Sequence, residues 1–173
     1  MIKTQEIPYQ DDETLCHGFM AYDDQWHTPR PAVLLAHDWH GRGLQICNIA
    51  KYMAKLGFVG FALDMYGQGI RPTSVEENKR LTGELYDDRN KMRRILQGAL
   101  NAGRLEGNDV RNGTTMGYCF GGTVALELAV FRVPNVIAYR VHPLTALIVK
   151  VLVQIKYANI VNVLLGREAI PEF

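Results

Sequence analysis

Two apolar runs of strand length frame an amphipathic helix in the first half of the chain, and that alternation restricts the fold more than any other feature. The first run, AVLLAHD at residues 32–38, follows the breaker-rich Thr28, Pro29, Arg30 and Pro31. It is apolar without alternation, as a strand buried on both faces must be. From Leu44 to Leu56, the residues Ile46, Ile49, Ala50, Met53 and Leu56 recur on one helical face until Gly57 ends the pattern. The second run, FVGFALD at residues 58–64, then ends at Asp64 before MYGQG. Parallel strands need a crossover of about a dozen residues or more, which a helix of this length supplies. A mostly parallel sheet with helices on its faces is the expected α/β architecture.

The flanking segments extend this frame. Residues 2–9 and 15–22 are strand-like and joined by the polar run Gln10 to Thr14, which predicts an antiparallel hairpin at one edge. Residues 73–103 are charged and helical, opened by a capping box in which Ser74 precedes Glu77 by three positions. Two helices broken near Gly83 are expected there. A third strand-to-helix unit follows, in which RNGTTMGY from Arg111 leads into TVALELAV from Thr123. Asp38, Asp64 and Cys119 all fall at carboxyl ends of predicted strands, where ligands bind in open parallel sheets.

Between that third strand and its helix lies GYCFGG, residues 117–122. A cysteine on a tight strand-to-helix turn, with glycines around it, is the pattern of a nucleophile elbow. Gly117, Gly121 and Gly122 remove side-chain bulk from the turn. The turn lifts the sulfur of Cys119 into open space at a helix N-terminus, where the dipole favours thiolate over thiol. Acyl transfer at such a site needs two amide donors aimed at the developing oxyanion. The Phe120 amide, just after the nucleophile, is one. The loop HDWHGRG, residues 37–43, supplies the other, assigned to Trp39.

The remaining histidines and cysteines carry weaker signals. His37 lies on a central strand, where a satisfied core histidine is the simpler reading, and His40 sits on a loop that solvent can serve. His142 precedes Pro143 in a segment with no catalytic pattern. Cys16 and Cys47 have no comparable context and are read as structural. The three cysteines lie without CxxC or Cys/His ligand spacing, which predicts no metal site and no disulfide framework. GYCFGG lacks the G-x-G-x-x-G and Walker spacings, so no phosphate or dinucleotide cofactor is expected.

A formal net charge of +1, with basic residues scattered along 173 residues, implies neither nucleic acid nor an anionic membrane as partner. A small-molecule partner is expected instead. The charges among the first residues do not suit a secretory signal, and Lys150, Gln154, Lys156 and Asn159 interrupt the one long apolar stretch. Together with free thiols, this predicts a cytoplasmic protein.

The ordered motifs AVLLAHDWHGRG, LGFVGFALDMYGQG and MGYCFGG resemble the dienelactone hydrolase family, cysteine-dependent members of the α/β-hydrolase fold. The resemblance covers about residues 2–129. It implies a three-layer, mostly parallel sheet, no cofactor, and hydrolysis of an ester or lactone through an acyl-cysteine at Cys119. It also implies that Asp38 contacts the resting cysteine and that the oxyanion amides are those of Trp39 and Phe120.

Residues 1–129 therefore read as the N-terminal portion of such a domain, incomplete at its C-terminal side. Residues 130–173 form an atypical apolar tail that does not match the family pattern. The segments that would carry the triad aspartate and histidine are not found there. Impaired catalysis is the expected consequence, because a thiol without its proton shuttle loses orders of magnitude in rate. The alternative reading is an inactive partial fold that acts through self-association at an exposed sheet edge, or through a partner. A covalent thiol sensor at Cys119 is a third.

Overall fold

A computed structural model describes residues 1–25, 28–105 and 109–134, all within one compact unit, Met1–Pro134. The elements in chain order are β1 (Ile2–Gln10), β2 (Leu15–Asp23), β3 (Pro31–Ala36), α1 (Leu44–Lys55), β4 (Val59–Ala62), α2 (Val75–Asp87), α3 (Arg89–Leu105), β5 (Asp109–Gly117) and α4 (Phe120–Val130). Among the described residues the sheet has five strands in the order β1-β2-β4-β3-β5. The hairpin β1-β2 is antiparallel and joins β4 antiparallel, while β3 pairs in parallel with β4 on one side and β5 on the other. The crossover β3-α1-β4 is the unit that the alternating pattern predicts. Residues 135–173, which include His142 and nearly all of the predicted apolar tail, lie outside the described residues.

Alternation of side chains on the central strands divides the core into two apolar layers. Val33 and Leu35 of β3 face α1, where they pack with Ile46, Cys47, Ala50 and Ala54. Leu34 and Ala36 point to the other face and meet Leu96, Leu100, Val124 and Leu128 from α3 and α4. Helices on both faces of one sheet make the three-layer α/β architecture. α1 lies very close to β4. A Cβ placed on Gly60 would stand 2.2 Å from the Ala50 carbonyl oxygen, so only glycine permits that contact. Leu56, expected on the buried face of this helix, is instead 53% exposed, because the helix ends one residue earlier and the chain turns at Gly57.

The charged region is two helices, but the break is not at Gly83. α2 runs through Gly83 to Asp87, and the chain restarts at Asp88, whose carboxylate accepts from the Lys91 amide as an N-cap does. The glycine signal yields because α2 buries Leu81 and Leu85 on either side of it, and this packing offsets a low helix propensity. The capping box at the start of α2 forms in a shifted version. Ser74 Oγ accepts from the Glu77 amide, while the Glu77 carboxylate accepts from the Thr73 amide rather than that of Ser74.

Two features hold the third strand-to-helix unit in place. Glu127 of α4 accepts from Arg89 at 3.0 Å and Arg93 at 2.7 Å, clamping α4 to α3. Beyond α4 the chain returns to the outer side of β5, where the Thr115 amide donates to the Pro134 carbonyl at 3.1 Å.

These contacts separate glycines that geometry requires from those it does not. Gly117→Ala should lower the unfolding free energy by about 3 kcal/mol, since its Cβ would sit 1.9 Å from the Gly121 carbonyl oxygen. Gly83→Ala, with nothing within 4 Å of the new methyl, should raise it by about 0.5–1 kcal/mol. Urea unfolding midpoints of the two variants, moving in opposite directions, check the assignment.

Candidate active site

β5 ends at Gly117 and α4 begins at Phe120, leaving Tyr118 and Cys119 to make the turn. Cys119 is the N-cap of α4 with φ 54° and ψ −114°, a conformation that side chains other than glycine rarely adopt. Holding it costs about 1–3 kcal/mol, so the surroundings must over-determine it. They do so from both sides. The Gly121 amide donates to the Tyr118 carbonyl and the Gly122 amide to the Cys119 carbonyl, both at 2.9 Å. Phe120 is buried at 2% exposure, which pins the first residue of the helix. The thiol itself is exposed.

Steric room for the turn comes from two of the three glycines. Gly117 lies against the Gly121 backbone, and a Cβ on Gly121 would approach the Ala36 and His37 carbonyl oxygens at 2.4 and 2.8 Å. Nothing lies within 4 Å of a Cβ on Gly122, so the expectation that this residue also relieves crowding is corrected. The Gly121 contact brings the first turn of α4 onto the carboxyl end of β3, and so toward the loop with Asp38, Trp39 and His40.

In that loop His37 is 1% exposed and its ring is fully used. Nδ1 pairs with the Asp38 carbonyl, Nε2 accepts from the Met65 amide at 3.2 Å, and the ring packs against Tyr66 and Phe120. Burial pushes its pKa down, only partly opposed by the Asp38 carbonyl and the charges of Asp64 and Asp38. It is a neutral core group. Asp38 Oδ1 accepts from the His40 amide at 2.8 Å and meets His40 Nδ1 at 3.1 Å. The indole N–H of Trp39 donates to His40 Nε2 at 3.1 Å. Among the described residues, no hydrogen bond joins Asp38 to Cys119, and none is accepted from the amides of Trp39 and Phe120. Those two N–H groups are the ones the oxyanion assignment needs.

Asp64, at the end of β4, organises the next loop. Its carboxylate accepts from the amides of His17, Tyr66, Gly67 and Gly69, and its own peptide is bridged by the Tyr9 hydroxyl, which accepts from Asp64 N at 2.7 Å and donates to its carbonyl at 2.9 Å. This is turn formation, one of the two roles the sequence left open. Cys16 and Cys47 are buried, with burial pushing the Cys16 thiol up to about 12 and raising that of Cys47 as well.

Tyr66 is the site residue that sequence reasoning missed. Its hydroxyl donates to the Trp39 carbonyl at 3.1 Å and its ring stacks on that of Phe120 at 5.8 Å, so it touches both residues whose amides are the candidate donors. Burial raises its pKa, and Asp38, Tyr86 and Cys119 push it further the same way, which puts Asp38 and Cys119 within electrostatic reach of one hydroxyl. Its sole sequence signal is its place two residues after Asp64. Arg42, also unremarked, is buried and donates to Glu6 at 3.0 Å, fastening the loop after β3 to the hairpin.

A cavity of about 160 Å3 opens beside this loop, lined by Asp38, His40, Tyr118 and the α1 side chains Leu44, Ile46 and Ile49. Among the described residues no group of three His, Cys, Asp or Glu side chains converges as a metal site requires, and no helix is long and apolar enough to cross a membrane.

The model of the dienelactone hydrolase family matches residues 17–163, past the end of α4 and well over half of the chain. The chain belongs to the dienelactone hydrolase family. Among solved structures, m3DLH is 29% identical with a TM-score of 0.73 and covers 79% of this chain and 57% of its own. A dienelactone hydrolase-like promiscuous phosphotriesterase from metagenomic libraries is 30% identical, with a TM-score of 0.71 and the same coverage. The dienelactone hydrolase of Anabaena variabilis, at 18% identity, 79% and 62% coverage and a TM-score of 0.58, shares the fold. A further match joins 59 residues, 34% of this chain, to 15% of the lipid-A-disaccharide synthase of Rhodospirillum centenum at 46% identity. This dienelactone hydrolase-family chain thus spans little more than half the length of its structural relatives and a small fraction of the synthase.

The buried neutral His37 has a stability consequence. Its folded pKa lies below the unfolded value of about 6.5, so the unfolded chain binds the extra proton first as pH falls. The stability from this group is fully present above pH ~6.5 and is lost as pH drops through the folded value. Urea unfolding at pH 8 and pH 5 should show a decline in the native protein that is smaller in His37→Gln.

Proposed function

We propose that this protein hydrolyses a small ester or lactone through a covalent acyl-cysteine at Cys119. The observation that carries the reading is the conformation of Cys119: an exposed thiol at the first turn of a helix, in a strained backbone geometry that two glycines permit. Strain of that kind, maintained by its surroundings, marks a functional position. The family membership supports the same chemistry. In the proposed reaction the thiolate attacks the substrate carbonyl carbon, and the negative charge that develops on the carbonyl oxygen is received by the amides of Trp39 and Phe120. Collapse of that intermediate expels the alcohol oxygen, which takes up a proton, and leaves a thioester. Water then cleaves the thioester and regenerates the thiol.

In this reading the cavity beside Tyr118, with its Leu44, Ile46 and Ile49 wall, receives a compact apolar portion of the substrate. Asp38 acts in this reading by orienting the loop whose amide serves the oxyanion, since its carboxylate is bonded within that loop.

Turnover of p-nitrophenyl acetate tests the proposal. Cys119→Ala should abolish both turnover and covalent acetylation seen by intact mass, while the melting temperature holds or rises. Equal rates for the native protein and Cys119→Ala would overturn the role of this thiol.

A further inference from the structure

The Trp39 N–H has no acceptor among the described residues, while the two peptides that flank the Trp39 Cα are each held through their carbonyls by a buried side chain. Resting on the acyl-cysteine reading above, we infer that His37 and Tyr66 are positioning residues that aim the Trp39 amide at the oxyanion, each by holding one of those peptides. The first peptide, Asp38–Trp39, carries the donor N–H itself. Its carbonyl can only accept, so the proton of that bond lies on His37 Nδ1, and Nε2, which accepts from the Met65 amide, is the bare nitrogen. A peptide is planar, so a donor fixed on its carbonyl oxygen also fixes the direction of its N–H. The second peptide, Trp39–His40, is gripped at both ends. The Tyr66 hydroxyl donates to its carbonyl at 3.1 Å, and the Asp38 carboxylate accepts from its N–H at 2.8 Å.

The two holding groups are themselves anchored in the loop after β4. Met65 bonds to the His37 ring, and Tyr66 is the next residue along. Asp64 fixes this stretch by accepting from the amides of Tyr66, Gly67 and Gly69. On the far side of the loop after β3, Gly41 closes on the same stretch, where a Cβ would stand 2.4 Å from the Ile70 carbonyl oxygen. Burial, followed by Asp38, Tyr86 and Cys119, raises the Tyr66 pKa, so the hydroxyl keeps its proton and remains a donor.

The nucleophile's helix meets the same assembly. The Phe120 ring lies against the His37 and Tyr66 rings at 5.9 and 5.8 Å, and a Cβ on Gly121 would approach the His37 carbonyl oxygen at 2.8 Å. The residue that carries the second candidate amide therefore rests on the two side chains that hold the first. Neither His37 nor Tyr66 touches the reacting atoms in this assignment. Their contribution is to keep an amide dipole in place before charge develops, which favours the transition state over the bound ester.

Acylation by p-nitrophenyl acetate in stopped flow reads both the limiting rate of nitrophenol release and the ester concentration giving half that rate. Tyr66→Phe keeps the ring against Phe120 and should lower the limiting rate about tenfold, with the half-saturating concentration within about twofold of native. The carbonyl stretch of a carbon-13-labelled acetyl group on Cys119, seen by difference infrared spectroscopy, should move to higher frequency in this variant, because hydrogen bonds to that oxygen lower it. His37→Asn places a side-chain N–H where Nδ1–H stood and should acylate faster than His37→Gln, whose longer side chain serves the Met65 amide instead. A native limiting rate and an unmoved carbonyl band in Tyr66→Phe overturn the inference and leave the nucleophile in place. A slower rate with an unmoved band, or His37→Gln acylating faster than His37→Asn, also overturns it by reducing these side chains to packing. A burst that survives Cys119→Ala instead overturns the underlying acyl-cysteine reading.

Discussion

Backbone meets backbone where α4 begins. Gly121 lies so close to the Ala36 and His37 carbonyls that a single methyl would force β3 and α4 apart, and Gly117 is equally close to Gly121 itself. Everything at the site depends on that approach. It sets the position of Cys119 at the end of the sheet and buries the Phe120 ring between Tyr66 and Tyr86. The unfavourable backbone angles of Cys119 are tolerated because the helix hydrogen bonds on one side and the sheet on the other leave the turn no alternative path.

The polar chemistry around the site is spent mainly on holding loops. Asp64 collects four amides, Tyr9 bridges both ends of the Asp64 peptide, and His37 links the loop after β3 to Met65. Buried polar groups must be paired, and these pairings make the two loops at the carboxyl edge of the sheet one connected body. Tyr66 completes the connection from the second loop back to Trp39. A rigid surround of this kind suits catalysis by aimed amide dipoles, which need to be in place before charge develops. The more exposed Asp38–His40 pair stands apart from it, on the cavity side.

Much of the frame was legible in the sequence, for identifiable reasons. Unbroken apolar runs in β3 and β4 and the three-to-four spacing in α1 report burial directly, and the hairpin limits came within a residue of those predicted. Gly83 misled because glycine weakens a helix without ending one when neighbouring leucines are buried. Leu56 misled because a helical face says nothing of where the helix stops. At the site, Cys119 and its loop partner stood out through glycines. Tyr66 and Arg42 did not, since each acts through a partner distant in sequence: Trp39 for one and Glu6 for the other.

What the sequence by itself determined is the set of parts: an α/β frame with parallel central strands and an antiparallel hairpin at one edge, a cysteine on a tight turn, and a glycine-bearing loop after the first central strand. Local spacing suffices for these, because burial period and turn chemistry are properties of neighbouring residues. Only the tertiary structure decided that two glycines rather than three are sterically required, and that Asp64 builds a loop. Each of those depends on what the chain brings close from far away, and distance in space is not written in distance along the chain.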